Sequence, residues 1–301
     1  MPHSPSQPSS VGTVCVVLAA IGFSAKAVIV KLAYAYPVDA ATLLALRMLF
    51  SAPFFVLMAL WSARGAAAAA LTRRDWLVVA LLGFVGYYLA SYLDFLGLQY
   101  ISAGLERLIL FLYPTVVVLL SAWLLKKPVH RRHIAALALS YGGIALVFTE
   151  YLGFGEQTSD LVLGGLLVFA SGVVYAFYLI GTGEVIGKLG AARFTSYAML
   201  VACAVALLQF LVAHDLADLA LPHEVYWLSL LMAVISTVIP AWLMSEGIRR
   251  TGASHAALVG SVGPVATLFF GYWILNEPLS ATQLFGAALV LAGVTLISVR
   301  T

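Results

Sequence analysis

Residues 97–128 read GLQYISAGLERLILFLYPTVVVLLSAWLLKKP, and residues 247–278 read GIRRTGASHAALVGSVGPVATLFFGYWILNEP. Laid over one another at an offset of 150 positions, they match Gly97 to Gly247, Ala103 to Ala253, Pro114 to Pro264 and Pro128 to Pro278. Just beyond them Gly143 falls on Gly293. Five matches at one offset mark an internal repeat. Its loops differ in charge. Lys126-Lys127-Pro128 lines up with Asn276-Glu277-Pro278, and Gln99-Tyr100 with Arg249-Arg250. Positive charge in one copy sits where the other has none, as expected of two copies of one unit inserted in opposite orientations across a membrane.

The bulk composition agrees. Of 301 residues, 63% are hydrophobic and 10% are charged, whereas a water-soluble domain carries about 25% charged residues. Apolar runs recur at a length suited to a hydrocarbon core of about 30 Å, which takes about 20 helical residues. Ten helices are expected, over 11–33, 39–61, 75–96, 102–124, 131–149, 162–183, 192–213, 225–246, 253–274 and 281–299. The fold class is therefore an all-α integral membrane protein of two inverted five-helix repeats, 11–150 and 162–301. A tail (1–10) precedes them and an external linker (151–161) separates them. No run alternates apolar and polar residues as a barrel strand would. The first ten residues carry no Lys or Arg, so helix one is read as retained rather than as a cleaved signal. Cys15 and Cys203 fall inside spans, as small apolar fillers. The net charge of +3 is a property of the loops and no nucleic-acid footprint.

Twelve of the sixteen basic residues fall on one side of this map: Arg64, Arg73, Arg74, Lys126, Lys127, Arg131, Arg132, Lys188, Arg193, Arg249, Arg250 and Arg300. The opposite loops hold Glu150, Glu156, Asp160, Asp215, Asp218, Glu224 and Glu277. Basic loops stay in the cytoplasm, so both termini are expected there. Trp61, Trp76 and Trp123 fall at cytoplasmic helix ends and Trp227 and Trp273 at external ones, the headgroup level that suits amphipathic rings. Trp242 alone lies inside a span.

Lys26 and Arg47 fall at nearly the same depth in helices one and two, with no acid at that level in either helix. A charge near the bilayer centre costs about 2.5–3.5 kcal/mol. Together they suggest an anion site, such as a cage for a substrate carboxylate. The structural alternatives are a Lys26 stem that reaches outward and an Arg47 that caps carbonyls freed by a helix break. Tyr88, Tyr92 and Phe95, with Ser91 beside them, share a face of helix three. Tyr175 and Tyr178 share one on helix six, and helix eight adds Trp242. Such faces look inward, toward a cavity or a neighbouring helix. Asp94 and Arg107, with Glu106 alongside, are symmetric about the turn near Tyr100. Glu246 and His255 mirror each other about Arg249-Arg250. These are candidate outer and inner gates, or pins for short hairpins. Pro114 and Pro264 are matched breaks in helices four and nine, and Pro240 interrupts helix eight; all three are candidate hinges. Gly142, Gly143, Gly286, Ala288, Ala292 and Gly293 permit close contact along helices five and ten, within a monomer or across a homodimer.

On these repeats, on Ala45-Leu46-Arg47-Met48 early in helix two and on Asn276-Glu277-Pro278 after helix nine, the chain resembles the drug/metabolite transporter superfamily, in its EamA-type ten-helix exporter branch. It departs from that branch at Lys126-Lys127-Pro128, where members often carry an acid before the proline. The resemblance covers essentially all of 11–299. It implies a multi-pass protein of a bacterial inner membrane that exports small metabolites, and the chain looks most like the exporters of aromatic amino acids. Other classes fit less well. Phe169-Ala170-Ser171-Gly172 and Gly260-Ser261-Val262-Gly263 are not the serine motif of an intramembrane protease. No His-Glu-x-x-His metal pair is present, and no ring of charges marks a channel filter. An enzyme, a resident cofactor and a metal are thus not expected. Within the superfamily, a carrier of sugar phosphates or nucleotide sugars is the alternative, but helix nine has no Lys or Arg to meet a phosphate.

Overall fold

A computed structural model describes residues 10–63, 71–126, 128–153, 158–251, 256 and 259–298. Its helices are α1 (Ser10–Ala33), α2 (Ala40–Ala63), α3 (Arg73–Leu98), α4 (Ala103–Leu125), α5 (Arg131–Gly153), α6 (Thr158–Leu189), α7 (Ala191–Ala213), α8 (His223–Thr251), α9 (Val262–Leu275) and α10 (Ala281–Ser298). There is no strand among the described residues. Helices satisfy every backbone group within the segment, which a hydrocarbon surround demands. Of the ten expected spans, eight are long and apolar enough to cross a membrane among the described residues; α9 and α10 are apolar but shorter. Large apolar side chains face outward all round the bundle, among them Leu57, Leu77, Val212 and Phe285, each at least 60% exposed.

Three helices depart from regular geometry. α3 carries a π-helical turn at Phe84–Leu89 and α8 another at Val234–Val238. α4 breaks between Ala103–Leu110 and Tyr113–Leu125. Pro114 sits in the first turn after that break and Pro264 in the first turn of α9, positions where a missing N–H leaves no bond unmade. Pro240 follows the π turn of α8 directly. α4 and α9 both end on a left-handed residue, Lys126 at φ 52° and Asn276 at φ 54°.

Packing places the helix ends in two groups. At one end the Glu277 carboxylate reaches Ala103 and Gly104, Lys31 reaches Leu98, Ser280 reaches Glu150 and His214 meets Asp39. At the other, Lys188 meets Asp75 and Gly12 lies against Arg250 and Thr251. The first end is the acidic one. The second carries the basic loops, of which Arg64, Lys127 and Arg300 lie outside the described residues, as does Glu156 at the first. α1 packs on α8 and α9, α6 on α3 and α4, α2 on α7, and α5 on α10.

The α5–α10 contact explains the small residues there. A Cβ on Gly143 would lie 2.6 Å from the carbonyl oxygen of Gly286, and one on Gly286 would lie 2.8 Å from that of Gly143. Gly142, Ala288 and Ala292 face outward instead, so only half of the matched set serves this seam. Gly143→Ala is expected to lower stability by about 1–3 kcal/mol through overpacking, whereas Gly142→Ala, with nothing within 4 Å of its Cβ, leaves it unchanged or slightly raised. Thermal melts of the purified variants in detergent read the contrast.

At the acidic end, Asp39 accepts from the backbone of Ala41 and Thr42 and from the Thr42 hydroxyl, and His214 Nε2 lies 3.2 Å from it. Burial alone would raise this carboxyl, but the Thr42 and Ala41 hydrogen bonds and the nearby His214 hold it below its usual value. A depressed folded pKa supplies stability that is complete above the ordinary carboxylate range and lost as pH falls through the lowered value. The melting-temperature gap between wild type and Asp39→Asn should therefore be constant near neutrality and shrink below about pH 4.

Candidate functional site

Four basic residues lie away from the basic loops: Lys26, Lys31, Arg47 and Arg107. Lys31 donates to the Leu98 carbonyl at the acidic end. The other three meet inside the bundle, about one to two helical turns from that end at 1.5 Å per residue.

Lys26 Nζ lies 2.5 Å from Asp94 Oδ2 and 3.4 Å from Glu106 Oε1, tying α1 to α3 and α4. Asp94 is 1% and Glu106 0% exposed. Arg107 Nε donates to Thr267 Oγ1 at 3.0 Å, and its Nη2 donates to Ser24 Oγ at 3.3 Å. Ser24 in turn donates to the carbonyls of Ala20 and Gly263. Arg107 thus fastens α4 to α1 and α9. Arg47 on α2 is 5% exposed; it donates to Ser91 Oγ at 3.0 Å and lies over the Phe95 ring, 5.0 Å from its centroid. Its Nε has no hydrogen-bond partner. Tyr34 closes the group by donating to the Phe95 carbonyl at 2.8 Å.

Next to the charges lies a run of tyrosines. Tyr88 and Tyr92 stack with ring centroids 6.1 Å apart, and Tyr175 and Tyr178 stack at 5.5 Å. Tyr113 meets Tyr175 edge-on at 5.2 Å, and the Tyr178 hydroxyl donates to that of Tyr87 at 2.8 Å. This ladder joins α3, α4 and α6. Gly86 makes it possible, because a Cβ there would strike the Tyr178 ring.

Several expectations change. Asp94 pairs with Lys26 rather than with Arg107. The flexible lysine stem reaches both carboxylates, while the guanidinium is turned to hydroxyls on α1 and α9. Glu246 bonds Arg249 and Arg250 on its own helix; His255, its expected partner, lies outside the described residues. Trp242 is 58% exposed and takes no part in the aromatic run. The face of α8 toward α1 is held by Pro240 against Gly22 and by Gly247 against Val16. Two residues on from Pro240, Trp242 points to about the opposite side at 100° per residue. The structure adds Tyr87, Tyr113, Ser24, Thr267 and Glu277 to the site. Tyr87 escapes the three-four spacing because the π turn at Phe84–Leu89 shifts the face. The others carry no local signal of the distant helices they meet.

An unpartnered buried charge is costly, whereas an apolar replacement of both partners is tolerated. Lys26→Met, which leaves two buried carboxylates without their ammonium, is expected to destabilise by about 3–5 kcal/mol. Lys26→Met with Asp94→Leu should recover most of that loss, as read in thermal melts.

Comparison with known proteins gives this geometry its context. The sequence profile of the EamA-like transporter family matches residues 10–149 and again 162–299. An uncharacterized transporter of Bacillus subtilis (strain 168), YcbK, is 28% identical, with 92% of this chain and 89% of that protein covered. An uncharacterized transporter of Archaeoglobus fulgidus is 27% identical over 74% of this chain and 76% of its own length. A solved crystal structure shares the fold at a TM-score of 0.65 and 17% identity, covering 97% of this chain and 96% of that one. The chain belongs to the EamA-like transporter family and is a multi-pass membrane protein that transports small molecules.

Proposed function

We propose that the protein is a secondary exporter of amino acids, aromatic and other neutral ones, working by alternating access between two inverted five-helix halves. On this reading it lies in a bacterial inner membrane with both termini cytoplasmic and the acidic end outside. The observation that carries the substrate class is the buried Lys26–Asp94 pair with Glu106 beside it and Arg47 one helix away, bordered by tyrosines. A zwitterion brings one ammonium and one carboxylate. Its ammonium replaces Lys26 at Asp94, and its carboxylate takes the released Lys26 and the open Nε of Arg47. Each broken contact is then replaced by one of like kind, so the pair opens without stranding a charge. The faces of Tyr88, Tyr92, Tyr175 and Tyr178 accept an apolar or aromatic body while their hydroxyls offer polar handles. A sugar phosphate brings only negative charge and would meet two carboxylates.

Equivalent detail in the two halves supports the inverted arrangement. The π turns begin at Phe84 and Val234, and the left-handed helix ends fall at Lys126 and Asn276, each 150 positions apart. Exchanging the halves turns the contact of α1 with α8 and α9 into that of α6 with α3 and α4, and returns α2–α7 and α5–α10 to themselves. The concentration of basic loops at one end supports the orientation.

Proteoliposome counterflow tests the substrate class. Vesicles preloaded with unlabelled Phe, Thr or Met are expected to take up the labelled amino acid above empty-vesicle background. The stably folded Lys26→Met, Asp94→Leu variant should lose that uptake by at least about tenfold, the equivalent of 1.4 kcal/mol. Absence of flux for every amino acid, alongside exchange of a sugar phosphate, would remove the assignment.

A further inference from the structure

Glu106 is the charged group that the zwitterion scheme leaves without a task. It is 0% exposed, and neither carboxylate oxygen has a hydrogen-bond donor; Asp94 Oδ1 has none either. The surroundings can be taken helix by helix. α1 offers Lys26 Nζ, which lies 3.4 Å from Glu106 but 2.5 Å from Asp94, and Tyr34, whose hydroxyl is given to Phe95. α2 offers Arg47, bonded to Ser91. α3 offers Asp94, whose carboxylate shares the Lys26 ammonium with Glu106. On α4 itself, Arg107 is occupied by Thr267 and Ser24. The loop after α9 adds a further acid, Glu277, on the amides of Ala103 and Gly104. α5, α6 and α10 meet α4 through Val147, Leu161, Val168 and Ala287. Two buried carboxylates therefore share one ammonium, which sits on Asp94.

An ionised carboxylate that is buried and receives no hydrogen bond is disfavoured, and two that share one ammonium do not both ionise readily. A single proton resolves the conflict. Carried on Glu106, it gives that group an O–H to donate to the open oxygen of Asp94. We propose that Asp94 and Glu106 together form a proton-binding site, and that the protein is an antiporter that takes one proton inward for each zwitterion it moves outward. When the substrate's ammonium takes Asp94, the released Lys26 lies between Glu106 and the substrate's carboxylate, so each acid of the pair faces an ammonium and the Glu106 proton leaves to water. When the substrate departs, a proton from the acidic side returns to Glu106 and Lys26 closes on Asp94. No other bond is made or broken. This coupling rests on the zwitterion reading above, but the proton site itself does not.

Infrared spectroscopy of the purified protein at neutral pH, without substrate, reads the site directly. A protonated-carboxyl carbonyl band is expected in wild type, lost in Glu106→Gln and retained in Glu246→Gln. Should Glu106→Gln fail to fold, wild type grown with glutamate labelled with carbon-13 at its side-chain carboxyl should show the band shifted to lower wavenumber, and an unshifted band overturns the assignment to Glu106. Absence of the band in wild type at neutral pH overturns the proton site, even where counterflow of amino acids is normal. Coupling is read in wild-type vesicles with an acidic lumen and an alkaline medium. Labelled phenylalanine should accumulate several-fold over vesicles at equal pH, and a protonophore should abolish the excess. Equal uptake with and without the gradient, where counterflow is present, overturns the antiport. A band together with no flux of any amino acid leaves the proton site standing and removes the zwitterion.

Discussion

A polar group that this chain carries into its apolar interior finds its partner on another part of the same chain or goes without, because lipid tails donate and accept nothing. That constraint explains more of the structure than any single packing surface. Lys26, Asp94, Arg47 and Arg107 come from four helices, and each is met by a side chain of another. The hydroxyls of Ser24 and Ser171 are given to carbonyls across helix seams, at Gly263 and Ala90. α1, α3, α4 and α9 are thus held at the acidic end by polar bonds, while α5 and α10 are held by bare glycine backbone. The first kind of seam can be exchanged for a polar ligand. The second cannot.

The two kinds of seam suit different parts in a transport cycle. A contact in which backbones nearly touch resists sliding and serves as a fixed edge. One made from a lysine, two carboxylates and hydroxyls opens readily when a ligand supplies equivalent partners. The irregular turns fall where such opening needs compliance. The break in α4 lies just after Arg107, and the π turn of α3 lies just before Ser91 and Asp94. π turns and proline breaks leave backbone that bends at low cost.

Much of this was legible in the residues. The apolar runs located eight spans long enough to cross a membrane, and Pro114 falls, as expected, beside a break in α4. The inward faces of Tyr88 and Tyr178 followed from helical spacing, and both are buried. Pairing was less legible. The hairpin symmetry that sets Asp94 level with Arg107 says nothing of α1, which arrives from far away in the chain with a longer reach. The indole N–H of Trp242 argues for an inward face, but nothing in the residues tells that Pro240 commits the opposite face of α8 to α1. Tyr87 was hidden by a π turn that leaves no mark in composition.

The carboxylate on Ala103 and Gly104 has a bearing on how the protein is made. Glu277 follows Gly104 by 173 residues, so α4 enters the bilayer long before its cap exists. At about 5–20 residues per second of synthesis, the amides that open α4 wait roughly ten to thirty seconds for their partner. During that interval headgroups or the insertion machinery must cover them. The acidic end of the molecule is therefore completed only after Glu277 has left the ribosome.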